Sequence, residues 1–416
     1  MWVPPIPAHP ADLRVRKLAQ ARTAHPLSEL VSGGQPRQHI CCLPCGRLAW
    51  SASVPLALLL VLVVTGCSGG KEAHVRRDPV DRAVDRYLDK TLPKGPGITV
   101  AAARGGELRH CAGRGLADRA KKTPATCDTV YDIMSITKQF TAAAVLRLET
   151  DGRLRTSDRI GAYLGRVPED KRGITLHQLL THTAGLPESL GDDYDPLSRA
   201  GLLAGAMKAR LRSAPGKEFH YSNVGYSVLA AVVEKVSGLR YEHFLAERLF
   251  RPAGMTRTGY VLPSWDRARV AVEYDRNGRA QGRPMDHPWA PDGPSWNLRG
   301  NGGMLSTARD MFRWHRALMG DTVLSEAAKR KLFAPHVRVP ELDGSYGYGW
   351  VVIDSDDGRV AWHDGGNDWS LATVAEFRRD KIMVFWVSNH AYQKGKWNLE
   401  DGQLELTRGV SAGLTR

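Results

Sequence analysis

The 416-residue sequence lacks the motifs by which several enzyme classes are recognised. It contains no H-E-x-x-H motif, no pair of C-x-x-C motifs and no carboxylate cluster at metal-ligand spacing, so we expect no metal site and no cofactor. No G-x-S-x-G sequence lies between a predicted strand and a predicted helix as a nucleophile elbow, which argues against an α/β-hydrolase. Despite a net charge of +14, no run of Lys and Arg is flanked by stacking aromatic residues, so we expect no nucleic-acid partner.

The sequence has only one long uncharged stretch, Leu48–Cys67, which follows Arg47. Its dense apolar part, Leu56–Val64, has the length of an export-signal core. The stretch ends in VTGC, which resembles a bacterial lipobox, a signal whose cysteine receives a lipid and becomes the mature N-terminus. We therefore predict a leader with an export signal over residues 1–66, lipidation of Cys67 and a tether over residues 67–79. The alternative is an uncleaved membrane anchor, because the uncharged stretch is nearly long enough to span a bilayer.

Cysteine is scarce beyond this leader. Three of the six cysteines lie within it, at positions 41, 42 and 45, and Cys67 is the candidate for lipidation. Only Cys111 and Cys127 remain. Outside the cell these two could form a disulfide, and two buried free thiols are an equal alternative.

Hydrophobic periodicity predicts an α+β fold. Helical spacing is found over residues 78–92, 135–150 and 307–319, and residues 156–295 look mostly helical. Strands are predicted at residues 98–103, 108–113, 349–353, 360–363, 371–377 and 382–388. We predict an antiparallel sheet flanked by helices, built from residues 80–155 and 296–416, with an all-helical lobe of residues 156–295 inserted. A site is expected in the cleft between the two lobes.

Ser135 and Lys138 lie three residues apart at the start of the predicted apolar helix 135–150. Residues at this spacing share one helix face, so a hydroxyl and an amine can meet. Unpaired N–H groups at a helix N-terminus can stabilise an oxyanion, and burial can keep the lysine neutral enough to accept the serine proton. Taken alone, the motif is better explained by a structural role, in which Ser135 caps the helix and Lys138 extends to solvent.

Two further motifs change this interpretation. Tyr221-Ser222-Asn223 is the only Y-x-N in the sequence, and His363-Asp364-Gly365 is the only H-x-G. S-x-x-K, Y-x-N and [KH]-x-G in this order resemble the serine β-lactamase/penicillin-binding-protein family. The branch they resemble holds class C β-lactamases, D-alanyl-D-alanine carboxypeptidases and related esterases. The stretches LLTHTAGLP, PGKEFHYSNVGYSVLAAVVEKVSG and GGMLSTARDMFRW resemble that family too.

The resemblance implies a β-lactamase/transpeptidase-like fold and an acyl-enzyme mechanism. Ser135 would be the nucleophile and Lys138 its proton acceptor. Tyr221 would relay a proton to the leaving group. Water would release the acyl group in a second step.

The resemblance also implies a substrate-binding set. Asn223 would hold the substrate amide or orient the lysine, and His363 would occupy the third-motif position. Gly365 would let substrate backbone lie against the strand, and the Gly366 N–H would complete the oxyanion hole. Asp364 departs from the usual Lys-[TS]-Gly pattern, as does His363 itself. A partly charged histidine beside an acid would attract a substrate carboxylate weakly, so efficient β-lactam hydrolysis is not expected.

We therefore expect an exported serine hydrolase that acts on D-Ala-D-Ala-type peptides or D-amino-acid amides. It would be tethered as a lipoprotein to the outer face of the cytoplasmic membrane, where cell-wall fragments are candidate partners. One alternative is a carboxylesterase on the same scaffold, and another is a penicillin-binding wall sensor that does not hydrolyse its ligand.

Overall fold

The structure, a computed structural model, describes residues 79–339, 342, 344–355 and 358–415. The predicted leader, the tether before residue 79 and the lipidation candidate Cys67 lie outside the described residues. Within the described ranges, no helix is both long and apolar enough to cross a membrane.

An eight-stranded antiparallel sheet lies at the centre of the described part. In chain order the strands are β1 (Ile98–Arg104), β2 (Glu107–Arg114), β3 (Leu116–Asp118), β4 (Thr123–Pro124), β5 (Tyr131–Asp132), β6 (Glu273–Tyr274), β7 (Ala280–Gly282), β8 (Leu305–Ser306), β9 (Val337–Val339), β10 (Gly344–Tyr346), β11 (Val351–Ser355), β12 (Gly358–Gly366), β13 (Leu371–Phe377), β14 (Ile382–Ser388), β15 (Tyr392–Gln393) and β16 (Trp397–Asn398). The sheet has the spatial order β2-β1-β14-β13-β12-β11-β10-β9. Since β1 pairs with β14, strands from both ends of the described chain meet, and the predicted antiparallel sheet is confirmed.

Helices cover both faces of this sheet. In chain order they are α1 (Pro79–Thr91), α2 (Thr137–Thr150), α3 (Gly161–Leu164), α4 (Leu176–Leu180), α5 (Arg199–Lys208), α6 (Asn223–Ser237), α7 (Tyr241–Leu245), α8 (Arg251–Ala253), α9 (Ala308–Met319), α10 (Glu326–Leu332) and α11 (Gln403–Gly413). Side chains of a strand alternate between faces, so Val100 and Ala102 of β1 pack with α1 and α11, while Ala101 and Ala103 face the larger core that holds α2 and α9. Burial on both faces explains why β1 is apolar without alternation.

The segment between residues 156 and 295 carries α3 to α8, as its helical pattern predicts. It also contains the two-stranded ribbon of β6 and β7, so it is not purely helical. Its longest helix, α6, begins where the Ser222 side chain accepts a hydrogen bond from the Gly225 N–H. The helix ends at Gly238, whose φ of 75° is the left-handed conformation that glycine adopts without strain.

Helix α2 is a mostly buried helix that contains Lys138 and directly follows the turn that carries Ser135. Its side chains from Thr137 to Leu146 are all buried, and Phe140 makes edge-to-face contacts with Trp314 and Phe250, at 4.9 Å and 5.0 Å between ring centroids. The sequence predicts one helix from Ser135, but the structure begins with a 3-10 turn, Met134–Ile136, before the α-helix starts at Thr137.

Candidate active site

Ser135 lies in the 3-10 turn between β5 and α2. Among residues 129–146 it alone is half-buried while the others are buried, so its side chain can be reached from outside. The chain enters the turn through Met134, whose φ of 46° lies in the left-handed region that non-glycine residues seldom adopt. The Asp132 carboxylate accepts a hydrogen bond from the Met134 N–H at 2.7 Å, which supports this conformation.

Lys138 is fully buried one helical turn after the serine. Its Nζ lies 3.0 Å from Ser135 Oγ and donates a hydrogen bond to the Asn301 carbonyl at 2.8 Å. Burial lowers the pKa of Lys138 to about 7, although the charges of Asp193, Glu188 and Asp364 oppose this shift. A large fraction of the amine is therefore neutral near neutral pH and can accept a proton from the hydroxyl.

The Y-x-N motif lies at the start of α6 and brings Tyr221 beside Lys138. Lys138 Nζ lies 4.7 Å from the centroid of the Tyr221 ring, and this ring lies 6.4 Å from the imidazole of His363. Asn223 is the first residue of α6, and its N–H donates to the Glu188 carbonyl. Within the described residues, its Oδ1 is buried without a hydrogen-bond partner, which leaves an acceptor for a bound group.

His182 supports the tyrosine from behind. Its ring lies 4.3 Å from the Tyr221 ring, and its Nδ1 accepts the Ser222 N–H at 3.0 Å. Burial lowers the pKa of His182 well below its ordinary value, and its φ of 59° places it in a tight turn. These contacts give the neutral imidazole the role of fixing the start of α6.

The third motif lies on β12 beside the serine. β11 pairs with β12 only as far as Trp362, so residues 363–366 have one open edge. A Cβ on Gly365 would lie 2.7 Å from Ser135 N, which shows how closely the strand approaches the serine backbone. The Asn367 N–H donates to the Ser370 carbonyl across the following turn. Because N–H directions alternate along an antiparallel strand, the Gly366 N–H points to the open edge.

His363 is buried on the same side of β12 as Gly365. Its Nε2 lies 3.0 Å from the Tyr346 hydroxyl, and its Nδ1 lies 2.5 Å from the Asp364 carbonyl oxygen. Burial, together with the nearby Lys138 charge, lowers the pKa of His363 to about 4, although the charge of Asp364 opposes this shift. The imidazole is therefore neutral at neutral pH, which differs from the partly charged histidine that the sequence suggests.

Three features of the site were not predicted from the sequence. The Asn301 carbonyl that binds Lys138 is a main-chain group, and every residue carries one, so no sequence signal could identify it. Asp132 precedes the S-x-x-K motif within an apolar run, and an acid in that setting is a usable signal. Glu273, whose Oε1 accepts the Asn367 side-chain N–H, comes from a distant strand without any motif.

Two other groups lie away from Ser135. Cys111 and Cys127 are joined in a disulfide with their Cα atoms 5.8 Å apart. Within the described residues, Asp81, Asp85 and His110 form the one group whose ligand atoms approach at metal-site distances. Arg114 forms an ion pair with Asp85 at 2.8 Å, and His110 Nδ1 is hydrogen-bonded to Asp81, so these contacts account for the group. The absence of a metal site stays a prediction.

Comparisons with known proteins agree with the motifs. The profile of the family described as Beta-lactamase matches residues 80–406. Penicillin-binding protein 4* of Bacillus subtilis (strain 168) is 31% identical over 311 residues, which cover 70% of this chain and 67% of that protein.

Two solved structures have a similar fold. The octameric penicillin-binding protein homologue from Pyrococcus abyssi has a TM-score of 0.67 and 23% identity, with 79% of this chain and 77% of that chain covered. The penicillin binding protein from Bacillus halodurans has a TM-score of 0.63 and 26% identity, with 80% of this chain and 99% of that chain covered. Both likenesses support a β-lactamase/transpeptidase-like fold.

Proposed function

This chain belongs to the β-lactamase family, whose members are generally serine hydrolases, and on that premise we propose that it forms an acyl-enzyme on Ser135. The observation that carries the proposal is the buried Lys138 amine, 3.0 Å from Ser135 Oγ, with a pKa of about 7. A neutral amine at this distance can take the hydroxyl proton while Oγ attacks an acyl carbon.

The remaining residues supply the other steps of this mechanism. The N–H groups of Ser135 and Gly366 stabilise the oxyanion of the tetrahedral intermediate. Tyr221 passes the proton from Lys138 to the leaving group as the acyl bond breaks, and Asn223 Oδ1 accepts a hydrogen bond from the substrate amide. Water then attacks the ester on Ser135 and regenerates the hydroxyl.

The substrate class follows from the third motif. D-Ala-D-Ala-type peptides and D-amino-acid amides both offer an acyl bond to Ser135. A neutral His363 gives a terminal carboxylate no cation to bind, which favours the amides over peptides with a free C-terminus. The same observation supports a second candidate, a carboxylesterase, because esters need no carboxylate site.

Labelling and turnover separate these possibilities. Fluorescent penicillin and a fluorophosphonate are added to the full-length wild type and to Ser135→Ala, and labelling that persists in the variant would refute the nucleophile. The wild type is then assayed with a D-Ala-D-Ala peptide, D-alanine amide and a short-chain nitrophenyl ester. The fastest substrate identifies the activity. Labelling without turnover of any of the three would instead identify a non-hydrolysing sensor.

We also propose that the protein is exported and tethered by a lipid on Cys67. The VTGC sequence at the end of the apolar stretch supports this proposal. Expression in a bacterium fed with labelled palmitate should label the wild type and leave Cys67→Ala unlabelled. Membrane retention of the unlabelled variant would favour the uncleaved anchor instead.

A further inference from the structure

Two buried carboxyl groups contact the segments that carry Ser135 and Gly366. Asp132 is on β5 and Glu273 is on β6, with 6% and 2% of their surfaces exposed. The two segments run side by side, because the Val130 N–H donates to the Arg269 carbonyl and the Ala271 N–H donates to the Val130 carbonyl. Neither carboxyl takes part in the mechanism proposed above. Burying an acid costs folding free energy unless the acid is hydrogen-bonded or paired.

Asp132 acts on the backbone that carries the serine. Its Oδ1 accepts the Met134 N–H at 2.7 Å, one residue before Ser135. Met134 holds a φ of 46°, a conformation that non-glycine residues seldom adopt and that persists only when its surroundings enforce it. The direction of the Ser135 N–H therefore depends on this hydrogen bond.

Glu273 acts on the opposite wall, at the turn after Gly366. Its Oε1 accepts hydrogen bonds from the Ser370 hydroxyl at 2.6 Å and from Asn367 Nδ2 at 3.0 Å. Asn367 Oδ1 in turn accepts the N–H groups of Trp369 and Ser370. The glutamate thus closes the turn that directs the Gly366 N–H to the open edge of β12.

We propose that Asp132 and Glu273 are positioning residues that hold the two halves of the oxyanion hole, the Ser135 N–H and the Gly366 N–H, at a fixed separation. The proposal rests on the acyl-enzyme function proposed above. Asp132 and Glu273 would align these two N–H groups, although Ser135 and Gly366 belong to segments that lie far apart in the chain. Such alignment matters because oxyanion donors stabilise a transition state only when they are already in place.

The electrostatics of the pair agree with this role. Burial raises the pKa of Asp132 well above its ordinary value, and the charges of Glu273 and Asp193 raise it further. Burial also raises the pKa of Glu273. The other titratable groups beside the pair are His287, whose pKa burial lowers, and Tyr194, whose pKa burial raises, so both are neutral near neutral pH. A rise in pH favours ionisation of both carboxyls, and repulsion between two charged carboxylates would loosen both turns.

The test compares alanine with amide variants in the full-length protein. Asp132→Ala and Glu273→Ala remove the acceptor, whereas Asp132→Asn and Glu273→Gln keep an oxygen for the same hydrogen bonds. Asp310→Ala is the matched control, because the Asp310 carboxylate is also buried and accepts a backbone N–H, that of Arg257, at 2.7 Å. The readouts are the acylation rate with a fluorophosphonate, kcat and KM for a neutral ester, and the melting temperature.

The alanine variants should acylate about 10- to 100-fold more slowly with KM within about twofold, and the amide variants should stay within about threefold of wild type. The Asp310→Ala control should lose stability but not acylation rate. The amide variants should also keep their plateau rate to higher pH than the wild type, a readout that remains if the alanine variants do not fold. Alanine variants that acylate at the wild-type rate, or pH profiles that superimpose, would overturn the proposal. Labelling of Ser135→Ala would instead overturn the acyl-enzyme function itself.

Discussion

The buried amine of Lys138 makes a prediction about stability as well as activity. Its pKa falls from an ordinary value of 10.5 to about 7 because folding removes it from water. Between these two pH values the unfolded chain binds a proton that the folded chain lacks. The free energy of unfolding must therefore rise with pH across this interval.

The magnitude follows from the shift. A pKa lowered from 10.5 to about 7 corresponds to about 5 kcal/mol in total, and about 3 kcal/mol of it should appear between about pH 7 and about pH 9.5. In Lys138→Met this contribution is absent. The difference in unfolding free energy between wild type and variant should change by that amount over the interval. Hydrogen bonds lost in the variant add an offset that pH does not alter.

The assay is urea unfolding of both full-length proteins at a series of pH values. Subtracting the unfolding free energy of the variant from that of the wild type at each pH removes the contribution of all other titrating groups. Acylation of the wild type should fall about tenfold for each pH unit below about 7, as the neutral fraction of Lys138 declines. A difference in stability that stays flat across the interval would refute a neutral Lys138. An acylation rate that is flat down to about pH 5 would refute its role as proton acceptor.

Two further predictions concern close packing and the disulfide. Gly365→Ala should slow acylation at least about 100-fold, because a Cβ would lie 2.7 Å from Ser135 N. Gly402→Ala, with nothing within 4 Å of its Cβ, is the control, and a fully active Gly365→Ala protein would contradict this close approach. Replacing Cys111 and Cys127 by alanine should lower the free energy of unfolding by about 3 kcal/mol, since the disulfide spans 16 positions. Reduction of the wild type should cause the same loss in a urea titration, and an unchanged midpoint would argue for free thiols.

The elements with strong local patterns were predictable. The strands Leu371–Phe377 and Ile382–Ser388 have the bounds that their apolar runs predict, because both faces of each are covered and a turn closes each end. Helix α4, Leu176–Leu180, lies in the segment 156–295 whose pattern predicts helices. In contrast, the ribbon of β6 and β7 has too few apolar residues for a periodic signal, and the C-terminal helix α11 was not predicted.

Some features of the site were likewise predictable from the sequence, and others were not. The S-x-x-K, Y-x-N and H-x-G motifs identify Ser135, Lys138, Tyr221 and His363, and the structure brings all four side chains into one region. The neutral state of His363 could not be predicted, because the pKa of an imidazole depends on what surrounds it. Glu273 was not predicted either, because its partners lie on a turn almost a hundred residues further along the chain.

The sequence by itself determined which groups are present and their order along the chain: a hydroxyl and an amine one helical turn apart, a tyrosine before a helix, and glycines where a strand approaches another backbone. These depend on short-range spacing, which helix and strand geometry convert directly into a shared face. Only the tertiary structure decided that the amine is fully buried, that the imidazole is neutral, and that Asp132 and Glu273 support the two walls of the site. Burial and long-range contact arise when distant segments pack together, and they set the charge state on which the proposed chemistry depends.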